Sequence, residues 1–178
     1  MRNFYLLTSG MDVMALMVAL NSQPELWNKN TLRTKASIEI KLPDSEEMQT
    51  IETPHREIDD IWLRMNDLDQ CAQAGGNPNF FDRRESINYP AMKQLPQARA
   101  LISALMASVQ GERLGRCMIS RMAPGKCIYP HTDIGPDLRV HYDNEPYYSR
   151  FHIVLQGLPG SIFRCGDEQV CMRTGEVW

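Results

Sequence analysis

Two metal-capable side chains stand two residues apart in APGKCIYPHTD, residues 123–133: His131 and Asp133. On an extended chain, residues i and i+2 point to the same side, so an imidazole nitrogen and a carboxylate oxygen can aim at one point. A second imidazole from a distant strand would complete a 2-His-1-carboxylate set, the donor group of non-haem iron(II) sites, with open positions left over. Those positions suit a bidentate 2-oxo acid and oxygen. Taken alone, the HxD pattern also fits an Asp133 that caps the following turn.

The flanking segments add to the pattern. In LGRCMISRM (114–122), Met118, Ser120 and Met122 share one face, and Cys117 and Ile119 the other. In SRFHIVLQG (149–157), Arg150, His152 and Val154 face one way, and Phe151, Ile153 and Leu155 the other. If the first face of each lines one cavity, a hydroxyl, a guanidinium and an imidazole surround the HxD pair. The planar fork of an arginine matches a carboxylate, so such a cavity suits a dicarboxylic cosubstrate or an acidic substrate. The same residues also fit an arginine at a solvent-facing edge and a hydrogen-bonded sheet histidine.

These residues need a scaffold. Ser9 to Asp12 reads as a helix start, opening an apolar helix over 10–20 within a helical stretch that ends near Pro24–Trp27. Residues 31–57 read as polar loop with a strand at Ser37–Leu42, and EIDDIWLRM (57–65) ends in an apolar strand-like run around Trp62. Residues 66–90, with Gly75, Gly76, Pro78 and Pro90, read as a long surface loop. LPQARALISALMASVQG is the clearest helix. Pro96 suits its first turn, Gly111 its end, and Leu95, Ala98, Ile102, Leu105, Met106 and Val109 form its core face. Beyond Gly111 come short strands and tight turns: Pro124-Gly125, then SIFRC, GD, EQVCM and RTGEVW. Helices followed by short strands predict an α+β chain with a β-sandwich or small barrel at its C-terminal end.

The 178 residues suffice for one domain with a sizeable core. A net charge of -3 supplies no electrostatic footprint for nucleic acid, and no segment has the length of a membrane-spanning helix. The N-terminal apolar run is broken by Thr8, Ser9, Gly10 and Asp12, unlike a signal peptide. Five cysteines, at 71, 117, 127, 165 and 171, form no CxxC pair. An odd number without that pairing predicts reduced thiols and a cytoplasmic location.

Together SRMAPGKCIYPHTD, RFHIVLQG, FRCGDE and GEVW resemble the aspartyl/asparaginyl β-hydroxylase family of iron(II)- and 2-oxoglutarate-dependent oxygenases. The likeness covers about residues 95–178 and is most specific over 119–178; HREIDDIWLR resembles what precedes the domain in small phage and bacterial members. It implies a single oxygenase domain over 1–178. A helical and loop part (1–112) would pack on a double-stranded β-helix, a cupin-like jelly roll (113–178). His131 and Asp133 would be catalytic iron ligands. His152, Ser120, Arg150 and Met122 would line the cofactor pocket: His152 and Ser120 on the carboxylates of 2-oxoglutarate, Arg150 on the substrate side, Met122 along the wall. The implied reaction is oxygen-dependent decarboxylation of 2-oxoglutarate to succinate, coupled to hydroxylation of a side chain. The substrate would be a peptidyl Asp, Asn or Pro, or a small molecule, and neither nucleic acid nor membrane is an expected partner.

The family places a second iron histidine and a carboxylate-binding arginine on strands after GEVW, whereas this sequence ends at Trp178. The expectation is therefore a C-terminally truncated jelly roll with impaired activity. His141 and His152 are the nearest substitute ligands, and His55 is remote in sequence. The alternative is a non-catalytic cupin-like domain that binds an acidic ligand. The segment 134–149, with Tyr142, Asp143, Glu145, Tyr147 and Tyr148, reads as a substrate lid or a solvated loop.

Overall fold

The computed structural model describes residues 3–35, 37–41, 48–73, 86–131 and 149–178. In chain order the elements are β1 (Thr8–Ser9), α1 (Met14–Ser22), a 3-10 turn (Pro24–Leu26), α2 (Leu32–Lys35), β2 (Ser37–Lys41), β3 (Met48–Glu52), β4 (Ile58–Asn66), α3 (Leu68–Gln73), β5 (Ser86–Asn88), α4 (Pro90–Gln94), α5 (Pro96–Ser108), β6 (Cys117–Met122), β7 (Phe163–Cys165), β8 (Glu168–Val170) and β9 (Glu176–Val177). Helices and strands are mixed, every strand pairing is antiparallel, and the described residues close no barrel. Contacts group the chain into two compact units. Met1–Pro24, Leu95–Arg113 and Glu145–Trp178 form one; Glu25–Gln94 and Leu114–Asn144 form the other.

In the second unit, β4 is the central strand of a sheet ordered β5-β4-β6. Its sequence, IDDIWLRMN, buries Ile58, Ile61, Trp62 and Leu63, residues from both faces. A near-continuous apolar run of this kind marks a strand covered on both sides. Ile58 lies opposite Met122, Asp60 opposite Ser120, and Ile61 opposite Ile119; a register shift between Trp62 and Arg64 then sets Arg64 opposite Cys117. The expected strand at 37–42 is β2, paired with β3 as a hairpin.

The loop expected over 66–90 holds three elements, with 74–85 outside the described residues. Asp67 explains the first. Its carboxylate accepts the N–H groups of Asp69 and Gln70 at 3.0 and 3.3 Å, an N-cap for α3. Pro90 explains the last: it opens α4, where a missing N–H costs nothing.

In the first unit, α1 and α5 pack together around Val13, Leu16, Leu20, Leu95 and Ala98. The expected core face of α5 holds, with Ile102, Leu105, Met106 and Val109 all partly buried, and the Gly111 N–H closes the helix on Met106 O at 2.9 Å. The start of α1 lies later than expected. Thr8 and Ser9 form β1, paired with Val177 and Glu176 of β9, and the Gly10 and Met11 N–H groups both donate to Gly175 O. That long-range pairing claims the backbone up to Met11. The helix begins at Met14, whose N–H donates to Asp12 Oδ1 at 3.0 Å.

Residues 149–157 were expected as a full strand. They pair with the 174–178 segment through Ile153 and Val177 as an isolated bridge, with His152 and Trp178 exchanging both backbone hydrogen bonds at 2.8 and 3.0 Å. β7 and β8 form a hairpin around Gly166-Asp167, where φ of +61° at Gly166 meets the demand of a two-residue turn.

The polar centre of the second unit is Asp60, whose side chain is fully buried. Its carboxylate takes Arg33 Nη1 at 2.6 Å and the Ser120 hydroxyl at 2.6 Å, while Asn28 bonds its backbone on both sides, N–H and carbonyl. Stripping one partner from such a pair leaves an uncompensated buried charge. Asp60→Ala should therefore cost about 3–5 kcal/mol in denaturant unfolding. Replacing both ions, as in Arg33→Met with Asp60→Leu, should recover part of that loss. An Asp60→Ala protein as stable as the wild type would refute this account.

Candidate functional site

His131 follows a turn set by sequence. Pro124 fixes φ at its first central position, Gly125 takes φ of +78° at the second, and Lys126 N–H closes on Ala123 O at 3.1 Å. That is a type II turn, for which Pro-Gly is the favoured pair. The exposed segment beyond it, 126–131, lies against the turn formed by residues 53–57.

The contacts between the two are specific. Tyr129 N–H donates to Pro54 O at 2.9 Å, and Cys127 N–H donates to Glu57 Oε2 at 3.0 Å. The Tyr129 hydroxyl donates to Glu57 Oε1 at 3.3 Å, with Lys126 Nζ 3.8 Å from the same oxygen. The Arg56 guanidinium lies 3.5 Å over the Tyr129 ring and pairs with Glu52. The Cys127 N–H, above all, holds the Glu57 carboxyl below its ordinary value; Lys126 and Tyr129 add to this, against partial desolvation. Desolvation raises the Tyr129 phenol, which keeps it a donor.

His131 Nδ1 lies 2.8 Å from Tyr129 O. A carbonyl only accepts, so Nδ1 is the donor in this bond. A metal-ligating histidine is commonly oriented in this way, one ring N–H on a carbonyl and the other nitrogen presented to the ion. His131 alone is oriented as such a ligand would be. Asp133 lies outside the described residues, as do His141 and the tyrosines of the expected lid. Among the described residues, no group of three or more His, Cys, Asp and Glu could hold a metal ion.

Ser120 and Met122 sit on one face of β6, as their alternation predicts, and both are exposed. Ser120 donates its only hydroxyl proton to Asp60 Oδ1. Cys117 is half-buried, and burial pushes its thiol up to about 11, which disfavours the thiolate.

Arg150 and His152 belong to the other unit. Arg150 is exposed. His152 is half-buried, fixed through its backbone to Trp178, and its ring meets Phe163 edge to face at 4.9 Å. Phe163 in turn meets Phe4 at 5.7 Å.

From the sequence His55 was set aside as remote, and Arg56, Glu57 and Asp60 were passed over. His55, remote from the HxD pair along the chain, has its ring 4.6 Å from that of His131. The signal was available in the strand ends: once β4 and β6 pair antiparallel with Ile58 opposite Met122, the residues before Ile58 must neighbour those after Met122.

A family model described as aspartyl/asparaginyl beta-hydroxylase matches residues 45–178. No curated protein and no solved structure matches the chain.

The Glu57 clasp has a pH signature. Its folded-state pKa lies below the ordinary 4.5, so its contribution is fully present above that value and is lost as pH falls through the lowered one. Hydrogen exchange at the Cys127 amide should accelerate, beyond the intrinsic pH effect, on that descent. Glu57→Gln should remove the transition; a Glu57→Gln protein that keeps it would show that another group is responsible.

Proposed function

The chain belongs to the aspartyl/asparaginyl β-hydroxylase family, and from that premise we propose that it is an iron(II)- and 2-oxoglutarate-dependent dioxygenase that hydroxylates a side chain. The observation that carries the reading is the 2.8 Å hydrogen bond between His131 Nδ1 and the Tyr129 carbonyl, a contact of the kind that orients metal-ligating histidines. The substrate is a peptidyl Asp, Asn or Pro, or a small molecule of similar size and polarity.

In this reading His131 and Asp133 would hold the metal. Bound iron(II) supplies the oxygen chemistry that couples decarboxylation of 2-oxoglutarate to hydroxylation. The protein's own part is placement. Tyr129 O keeps the His131 proton on Nδ1, and the 53–57 turn holds Tyr129 through Pro54 O and Glu57. His152 donates to a cosubstrate carboxylate and Arg150 faces the substrate. Ser120 serves a carboxylate by exchanging its bond to Asp60 for one to the cosubstrate, because it has one proton to give. Met122 supplies an apolar wall.

The proposal extends to architecture and location. The proposed fold is a jelly roll, and the antiparallel strand pairings are compatible with it. Four described cysteines are free thiols, which suits a cytoplasmic protein. Among the described residues no helix is long and apolar enough to cross a membrane.

Incubation with iron(II), 2-oxoglutarate and oxygen should yield succinate, and His131→Ala should reduce it to background. Calorimetry gives the independent check. Binding of 2-oxoglutarate should strengthen when iron(II) is present. Tight binding indifferent to the metal would instead fit a non-catalytic domain that takes an acidic ligand, and full turnover by the His131→Ala protein would end the proposal.

A further inference from the structure

Asp60 and Ser120 lie opposite one another in the β4–β6 pairing, on one face of the sheet. Ser120 is exposed, while the Asp60 side chain is fully buried. The two carboxylate oxygens are divided between two donors: Oδ2 takes Arg33 Nη1 and Oδ1 takes the Ser120 hydroxyl, each at 2.6 Å. A hydroxyl has one proton and two lone pairs. With the proton on Asp60, Ser120 has only lone pairs to offer outward.

Breaking that bond is costly. An O–H···O⁻ contact of this length is charge-assisted, and a fully buried carboxylate oxygen that loses its donor cannot turn to bulk water. Ile58 and Trp62, which flank Asp60 on the same face, are buried. The Trp62 indole N–H has no acceptor among the described residues, so it does not reach the carboxylate. Asn28 bonds the Asp60 backbone rather than its side chain. Release of Ser120 therefore leaves Oδ1 without a donor among the described residues.

We propose that Asp60 is a positioning residue that sets the hydrogen-bonding polarity of Ser120: held by Asp60, Ser120 meets a ligand as an acceptor, and it holds a ligand carboxylate only after giving up Asp60. The inference rests on the reading that puts a 2-oxoglutarate carboxylate at Ser120, and takes nothing from the metal ligands. Two consequences follow. Ser120 adds little to 2-oxoglutarate affinity, because one charge-assisted bond is exchanged for another. A ligand group that carries an N–H at this point, such as a carboxamide, gains a bond without any exchange.

Asp60→Asn separates the two polarities, because Arg33 decides how the amide lies. The guanidinium only donates, so it takes the amide oxygen and turns the NH2 group toward Ser120. The bond to Ser120 then runs the other way, and the hydroxyl proton is released while the oxygen stays anchored. Calorimetry of 2-oxoglutarate with the full chain, with iron(II) and without oxygen, should show Asp60→Asn binding roughly 10-fold tighter than the wild type. Ser120→Ala should change wild-type affinity by less than about threefold, and should erase the gain in the double variant. A second comparison leaves Asp60 untouched and uses 2-oxoglutaramate, which has a carboxamide in place of the distal carboxylate. Ser120→Ala should weaken this amide by roughly 5-fold while barely affecting the acid. Unchanged or weaker 2-oxoglutarate binding by a folded Asp60→Asn protein would overturn the inference, as would a gain that survives Ser120→Ala. So would a Ser120→Ala protein that loses the acid and the amide equally, the deciding result should Asp60→Asn not fold. If the wild type bound no 2-oxoglutarate, with or without iron(II), the reading of Ser120 as a carboxylate contact would fall and this inference with it, a separate result seen before any variant is made.

Discussion

Antiparallel pairing of β4 with β6 is the constraint from which the His131 region follows. With Ile58 opposite Met122, the turn that enters β4 and the turn that leaves β6 must lie side by side. Two polar pairs on opposite faces lock that register. Asp60 bonds Ser120 across the strands on one face, and Asp59 pairs with Arg121 at 2.7 Å on the other. Asn28 spans both, bonding the Asp59 carboxylate and the Asp60 backbone, and its contact leads the causes that hold the Asp59 carboxyl below its ordinary value. A slip of one residue would exchange the faces, drawing Asp59 inward without its arginine and leaving Arg33 without its carboxylate. The register is thus specified by charge as well as by the apolar residues Ile61 and Ile119.

What could be read from the sequence was what depends on neighbours along the chain. The core face of α5, the strands at 37–41, 58–66 and 117–122, and the Pro-Gly turn all follow from periodicity or from single-residue backbone preferences. The start of α1 was misplaced because Thr8 and Ser9 are claimed by β9, a partner from the far end of the sequence that no local window contains. The helices within 66–90 had local signals, Asp67 and Pro90, which the glycines and prolines of that stretch outweighed. His55 illustrates the difference most sharply. Nothing in HREIDD announces proximity to an HxD motif; only a strand register does, and register is a property of two segments rather than one.

The site residues divide in the same way. The alternation that put Ser120 and Met122 on one face of β6 was correct, because the pleat alone decides it. That Ser120 is already hydrogen-bonded to Asp60 required knowing which strand lies beside it. Asp133 lies outside the described residues, so its partnership with His131 stays a matter of spacing. His152 owes its position to backbone pairing with Trp178, and its RxH alternation is realised through one bridge rather than a long strand.

The energetics of the two strata differ, and the difference bears on function. Asp60 and the apolar residues of β4 are buried, and disturbing them costs several kcal/mol each. The clasp around His131 is built from exposed or half-exposed hydrogen bonds, each contributing little net against the water that competes for the same groups. A segment held in this way can open locally without unfolding the sheet that carries it. What makes its geometry reproducible is the number of attachment points along one short stretch: Lys126, Cys127, Tyr129 and His131 are each met by the 53–57 turn or by one another. A ligand that binds only the closed arrangement would add its own binding free energy to the clasp by mass action, so the segment should become most rigid when the site is filled. A weakly held arm on a strongly held strand is therefore a suitable support for His131. The strand sets where the arm returns to, and the weak contacts let it leave.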